Sequence, residues 1–302
     1  MSGLSVTEIA CLPQELLDWQ AVVTHVHTAG NSSCSGQQTA SDVAAMASAL
    51  GFKAVYLNEH TGNPGAPYRV QDGGSEISLL RRAREELEAS DLPVPVYFGL
   101  ECNTVVHDQR AISVPFTMIS SFSLDMSDEA ITSLHPRYVI GSLHGDAASY
   151  KKPSFLMMAI EMLCKNPLIH TLGHITRYVG DVKIDWHEVA LMARDTGTAV
   201  ELNLNQWFKE CQPKNKPNPA DDFGVKHHRS FYEAIADSGA MFVIGADIHN
   251  AGMWPTANPQ AGWETSVESV IAYHEFLAAC GIRRSEVLNS DANKFARWFK
   301  IE

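Results

Sequence analysis

The segment AVVTHVHTAG (residues 21–30) begins as a run of small and β-branched residues and ends in two histidines one residue apart. The run predicts a buried strand, and in a strand residues i and i+2 point to the same side. His25 and His27 therefore project together, close enough to hold one ion. The remaining ligands must come from elsewhere in the chain.

Outward from this segment, strand-like and helix-like stretches alternate. TASDVAAMASALG (39–51) predicts a helix ending at Gly51, and KAVYLNEH (53–60) a strand. SEISLLRRAREELEAS (75–90) predicts a helix opening on a serine cap, and VPVYFGLECNTV (94–105) a strand. The stretch from 105 to 130 reads as irregular. YVIGSLHG (138–145) is a strand and SFLMMAIEMLCKN (154–166) a helix stopped by Pro167. The alternation continues through HTLGHITR (170–177), the helix DWHEVALMARDTG (185–197), TAVELNLN (198–205), the helix HHRSFYEAIADSG (227–239) and MFVIGADIHN (241–250). Two helical stretches follow, WETSVESVIAYHEFLAACG (263–281) and SEVLNSDANKFARWF (285–299). Near-continuous apolar strands joined by helices predict a parallel sheet covered on both faces. Seven such units in 302 residues fit a closed α/β barrel better than an open sheet, and no GxGxxG follows the first strand. The expected organisation is one barrel domain over 1–302, with a C-terminal helical extension at about 264–302.

Nearly every strand ends in a potential metal ligand. They are His25 and His27, then Glu59 and His60, Glu101, His144, His174, Glu201, and finally Asp247 and His249. In a parallel barrel all these ends open onto one face, where active sites of such barrels lie. A single strand-end histidine is more often a satisfied polar residue, and His170, His187 and His274 are read that way. His227 and His228 open a helix and fit a surface role or an anion site. The bland reading fails for the set, because chance does not place ligands at successive strand ends. Imidazoles with carboxylates and no thiolate set suit Zn, Mn, Fe or Co. The ligands exceed what one tetrahedral ion needs, which implies two or three divalent ions.

The ordered motifs HVH (25–27), NEH (58–60), GLE (99–101), GSLH (141–144), LGH (172–174), ELN (201–203) and GADIH (245–249) resemble the polymerase and histidinol phosphatase (PHP) family. They span residues 21 to 250 in the family order. The resemblance implies a distorted seven-stranded barrel of the PHP type, with a di- or trinuclear centre at the C-terminal ends of the strands. It implies a first ion on His25, His27, Glu101 and Asp247, a second on Glu101, His144 and His174, and a third on His60 and His249. A hydroxide between the first two ions would be the nucleophile. One feature departs from the family. A further His or Asp usually follows the HxH motif within a few residues, whereas TAGNSSCSG (28–36) has neither. Asn31, Ser33, Cys34 and Glu59 are candidate substitutes, and an ordinary turn thiol is the preferred reading of Cys34.

The long segments after ligand-bearing strands should lie over the metal face. Trp207, Trp254 and Trp263 are candidates for an apolar wall, with packing of loops onto the barrel an equal alternative. Arg177, three residues beyond His174, is the best candidate to contact a phosphate. Arg69, Lys151, Lys152, Lys226 and Arg229 are weaker ones.

The net charge of −12 argues against a general nucleic-acid binder. No apolar stretch is long enough to span a membrane. The six scattered cysteines read as reduced thiols, and MSGLSVTEIACLPQELLDWQ lacks the pattern of a signal peptide. The expected setting is the cytoplasm. The expected activity is metal-dependent hydrolysis of a small phosphate ester, with Asp247 and His249 moving the proton and Arg177 stabilising developing charge. Three alternatives fit less well. A 3′–5′ nuclease is disfavoured by the acidic balance. An amidohydrolase-type C–N or ester hydrolase is disfavoured by the final Asp-x-His. A non-catalytic metal-stabilised scaffold is disfavoured by the ligand set.

Overall fold

The computed structural model describes residues 11–29, 37–61, 76–110, 118–143, 153–176, 184–211, 223–255 and 267–301. Seven parallel strands close on themselves. In order around the barrel they are β1 (Val22–Val26), β2 (Ala54–His60), β3 (Val96–Arg110), β5 (Tyr138–Ser142), β6 (Thr171–Gly173), β7 (Ala199–Asn203) and β8 (Phe242–Ile248), which pairs back to β1. The expected barrel forms because each strand is apolar on both faces, one packing inward and one against helices. Those helices are α2 (Ala40–Leu50), α3 (Glu76–Glu88), α5 (Pro153–Lys165), α6 (Trp186–Thr196), α7 (Leu204–Cys211) and α8 (Phe223–Ala236). Helix α2 starts on a Thr39–Asp42 capping box and stops at Gly51, whose φ of 94° suits a residue without Cβ.

Three expectations need correction. The stretch from 105 to 130 is not irregular throughout: β3 runs on to Arg110 and pairs antiparallel with β4 (Met118–Leu124), and α4 (Asp128–Ser133) follows. The signal was present, since Ser121, Phe122, Ser123 and Leu124 alternate with period two. Phe122 meets Phe155 of α5 with ring centroids 6.2 Å apart. Secondly, β7 (expected over 198–205) ends at Asn203, and α7 begins at Leu204. The Asn203 Oδ1 accepts the Gln206 N–H at 2.8 Å, an N-cap that turns strand into helix. Thirdly, residues 285–299 are not one helix. Two 3₁₀ turns (Arg284–Glu286 and Leu288–Ser290) precede α10 (Ala292–Phe299), which Asp291 caps through the Lys294 N–H.

These C-terminal elements close the lower end of the barrel. Tyr56, Tyr138, Phe295 and Phe299 pack together, with ring centroids 4.9 Å apart for Tyr56–Phe295 and 5.3 Å for Tyr138–Phe299. Asn289 joins β1 to β8. Its Nδ2 donates to the carbonyls of Val22 (2.9 Å) and Ile244 (2.8 Å), and its Oδ1 accepts the Ile244 N–H. Helix α9 (Val267–Ala279) packs against α7 and the short α1 (Gln14–Leu17). There His274 differs from expectation. It is buried and stacked on Trp19, but among the described residues neither ring nitrogen has a hydrogen-bond partner. Burial lowers its pKa to about 4. His170 is satisfied, its Nδ1 accepting the Val139 N–H at 2.9 Å.

Among the described residues no helix is long and apolar enough to cross a membrane. Cys11, Cys102, Cys164 and Cys280 are free thiols.

Candidate metal centre

The barrel interior is built by alternation. On β2, Ala54 and Tyr56 belong to the lower apolar cluster while Val55 and Leu57 pack outward. Continuing the same parity brings Asn58 and then His60 inward at the upper end. The same logic carries Tyr138 and Ile140 to Ser142, Ala199 to Glu201 and Asn203, and Val243 to Gly245 and Asp247. Cys102 and Glu59 have the opposite parity. Cys102 lies in the outer apolar layer, and burial with Asp125 nearby pushes its thiol well above the usual range. Glu59 accepts the Thr28 N–H (3.2 Å) and hydroxyl, and lines a cavity of about 280 Å³ between α2 and α3. It therefore faces away from His60.

Strand β1 breaks the rule. Val22 faces the lower interior while Val23 and Val26 pack outward. Strict alternation from Val22 would send both His25 and His27 outward. The pairing with β2 advances three residues on β1, Val23 to Val26, against two on β2, Val55 to Leu57. This extra residue is a β-bulge. His25 sits in it with φ 62°, and its backbone N–H donates to Asn58 Oδ1 at 2.9 Å. His174 (φ 24°) and Asp247 (φ 49°) are also left-handed, so three of the five non-glycine residues with positive φ among the described residues lie in this site. Such conformations cost free energy in side-chain-bearing residues and persist where surrounding contacts hold them.

The structure brings His25, His27, His60, Glu101, His174, Asp247 and His249 together at the upper end. Glu101 is central. Its Oε1 lies 2.9 Å from His174 Nε2 and 3.3 Å from His25 Nε2, and its Oε2 lies 3.1 Å from His60 Nδ1 and 3.5 Å from His27 Nε2. Ser142 donates to Glu101 Oε1 at 2.6 Å. Asp247 Oδ1 lies 3.5 Å from His27 Nε2, 3.6 Å from His25 Nε2 and 2.9 Å from His249 Nε2. The rings of His60 and His249 each stack 4.4 Å from His27, on which they converge. All are buried except His249, which is partly open to solvent. His144 and Arg177 lie outside the described residues, as do Cys34, Trp263 and the basic residues Arg69, Lys151 and Lys152.

Charge is concentrated here. For His25, burial opposes protonation most strongly, yet the Glu201 and Glu101 carboxylates beside it hold its pKa well above the ordinary imidazole value. His27 is the reverse case: burial dominates and lowers its pKa. Burial disfavours the Asp247 carboxylate. Its contacts with His249 and His27, with His25 and His174 nearby, nevertheless hold it well below the usual carboxylate range.

The donor set fits divalent ions. Three groups place ligand atoms within 4.8 Å of one another: His25, His27 and Asp247; His25, Glu101 and His174; and His27, His60 and Glu101. Among the described residues, neither His25 Nε2 nor either His27 ring nitrogen has a partner in good hydrogen-bond geometry, and all three are buried. An unpartnered buried nitrogen is costly in protein alone and is what an ion would satisfy. The 3.3–3.6 Å separations between the Nε2 atoms of His25 and His27 and the oxygens of Glu101 and Asp247 match a tetrahedral edge. Ligands about 2.1 Å from a tetrahedral ion lie about 3.4 Å apart. No described group unites His60 with His249.

Glu201 is placed differently from the expected ligands. Its Oε1 lies 2.5 Å from His25 Nδ1, and its Oε2 accepts the His174 N–H at 2.7 Å and the Asn203 amide at 3.0 Å. Both oxygens are thus engaged by ligand-bearing residues or their neighbours. Asn58, Ser142 and Asn203 were also missed as supporting residues, although their parity with His60, His144 and Glu201 in turn was readable in the sequence. Trp207 and Trp254 do not form a wall over the centre. Trp207 packs on Tyr273 (5.1 Å), and Trp254 is buried with its Nε1–H on Gln38 Oε1.

No family model matches the chain, and no curated protein sequence does. Among solved structures, it is similar to histidinol phosphate phosphatase from Lactococcus lactis subsp. lactis Il1403, complexed with zinc, L-histidinol and phosphate. The TM-score is 0.50 at 13% identity, over 87% of this chain and 94% of that one. An uncharacterized protein (TM-score 0.45, 12% identity) matches over 94% of this chain and 74% of its own, and an amidohydrolase (0.43, 14%) over 100% and 78%. At these identities the first of these likenesses establishes the fold.

Proposed function

We propose that the chain is a metal-dependent hydrolase that cleaves a small phosphate ester. The observation that carries this reading is the convergence of buried imidazoles on two carboxylates at the barrel's upper end. The motif order of the PHP family supports it. So does the shared fold with a phosphatase whose crystal structure holds zinc and phosphate.

His25, His27, Asp247 and Glu101 would hold one ion. Glu101 and His174, with His144, would hold a second, and His60 and His249 a third if one binds. Zinc, manganese and iron all suit this donor set. A bound divalent ion neutralises charge on a phosphoryl oxygen and makes a coordinated water acidic near neutral pH. The chain's own groups do the rest. Asp247 stays ionised at neutral pH and can accept a proton at Oδ1. His249, 2.9 Å away and partly open to solvent, can carry that proton outward. Arg177 would pair with phosphoryl oxygens. The buried interior below Glu101 excludes water from beneath the reacting group.

The test is metal content by mass spectrometry on untagged protein, with a panel of phosphomonoesters and phosphodiesters and His25→Ala alongside. Two or more ions per chain, and phosphate release lost at least about 100-fold in the variant, are expected. Bound metal without phosphate release would redirect the reading to amide or lactone substrates. Absence of both metal and turnover after adding zinc or manganese would overturn it.

A further inference from the structure

We propose that Glu201 is a positioning residue shared by two metal subsites, a single carboxylate that sets the ring of His25 and the backbone of His174 so that the subsites fill as a coupled pair. This rests on the reading of the upper end as a metal centre.

An ionised carboxylate only accepts hydrogen bonds. The Nδ1 of His25, 2.5 Å from Glu201 Oε1, must therefore carry the proton. A neutral ring then has its one lone pair on Nε2, the atom facing Glu101 Oε1 (3.3 Å) and Asp247 Oδ1 (3.6 Å). The other oxygen acts on a different subsite. Oε2 accepts the backbone N–H of His174, a residue with φ 24° that would not hold this backbone without a restraint. That restraint sets His174 Nε2 2.9 Å from Glu101 Oε1. Asn203, two residues along β7, donates to the same Oε2 and keeps the carboxylate in place.

Glu201 fits only because β8 carries a glycine, Gly245, where its carboxylate lies. A Cβ at Gly245 would lie 1.8 Å from Glu201 Oε1 and 2.5 Å from its Cδ. Real Cβ atoms do not approach so closely, so any side chain there displaces the carboxylate. The glycine of the GADIH motif thus has a chemical consequence two strands from His174. Coupling follows physically. An ion that immobilises His25 also immobilises Glu201 and so preorganises His174, lowering the ordering cost at the second subsite.

The experiment uses the full chain stripped of metal, titrated with Zn²⁺ alone by calorimetry, together with long-range ¹H–¹⁵N histidine spectra of the zinc-loaded protein. Wild type should bind two ions in one steep phase and show His25 protonated on Nδ1. Glu201→Gln retains size but offers only one acceptor oxygen, and Gly245→Ala displaces an intact carboxylate. Each should weaken both subsites about 10- to 100-fold and separate the phases. Wild-type affinity in either folded variant, or weakening confined to one subsite, would overturn the proposal. So would a wild-type His25 protonated on Nε2, a result that needs no variant. Wild type that binds no zinc would instead sink the metal-centre reading itself. A purely structural role would lower thermal stability while leaving tautomer and per-site affinity unchanged.

Discussion

The barrel interior changes character along its axis within a few residues of the same strands. At the lower end Val22, Ala54, Tyr56, Tyr138, Ala199 and Val243 meet Phe295 and Phe299 from α10, an apolar filling like any domain core. At the upper end the next inward positions are Asn58, His60, Glu101, Ser142, Glu201, Asn203 and Asp247, also buried. The lower end gains free energy by burying apolar surface. The upper end buries ionisable groups, which is unfavourable unless they pair or bind an ion. One half of the barrel thus stabilises the fold, and the other holds reactive groups in geometry the fold can enforce.

This contrast can be broken from either side. The largest effect should come from Phe295→Ala, which removes the buried ring packed on Tyr56 and Tyr138. A loss of about 3–5 kcal/mol in urea unfolding is expected, with unchanged zinc stoichiometry in the folded fraction. A drop in stoichiometry would mean the two ends are not independent. Removing metal with a chelator should lower stability by about 4 kcal/mol relative to protein held at 1,000 times the dissociation constant. Thermal unfolding with and without metal measures it, and identical curves would mean the upper end needs no ion.

Acid gives a third comparison. Burial lowers both His170 and His274 to about 4. Their unfolded value is about 6.5, so below that pH the unfolded chain binds protons that the native one does not. Stability from these two groups is full above about 6.5 and falls as pH drops towards about 4. Each should remove about 2 kcal/mol between pH 7 and pH 5. His274→Phe keeps a ring against Trp19 and should reduce that pH dependence by one histidine's share, read from urea midpoints at the two pH values. An unchanged slope would mean His274 does not titrate as a buried neutral ring. The smallest effect sets the baseline. Thr39→Ala removes the capping box of α2, outside the ligand set, and should cost about 1 kcal/mol with no change in zinc affinity.

Much of this was legible in order along the chain. The strands announced themselves by apolar runs, and their ends by His, Glu and Asp, because a period of two links each ligand to the apolar residues beneath it on the same face. For β2, counting from Tyr56 to His60 is enough. Helix limits such as Asp185 and Gly197 around α6 were equally local, being set by caps. The short β4 and the N-cap of α7 carried local signals too, but weak ones, a four-residue alternation and a single asparagine.

The sequence by itself therefore determined which residues line the barrel and which chemistry they offer, since side-chain period and donor type are properties of a few consecutive residues. Only the tertiary structure decided how they are used. The bulge that turns His25 and His27 inward exists because β1 pairs out of step with β2 and is held by Asn58 from that neighbouring strand. Glu201 looked like one more ligand and instead receives donors from β1 and from the residue after β6. The aromatic filling that meets α10 joins residues up to 243 positions apart, from Tyr56 to Phe299. Register and long-range pairing are fixed by contacts between strands, and no local stretch of sequence contains them.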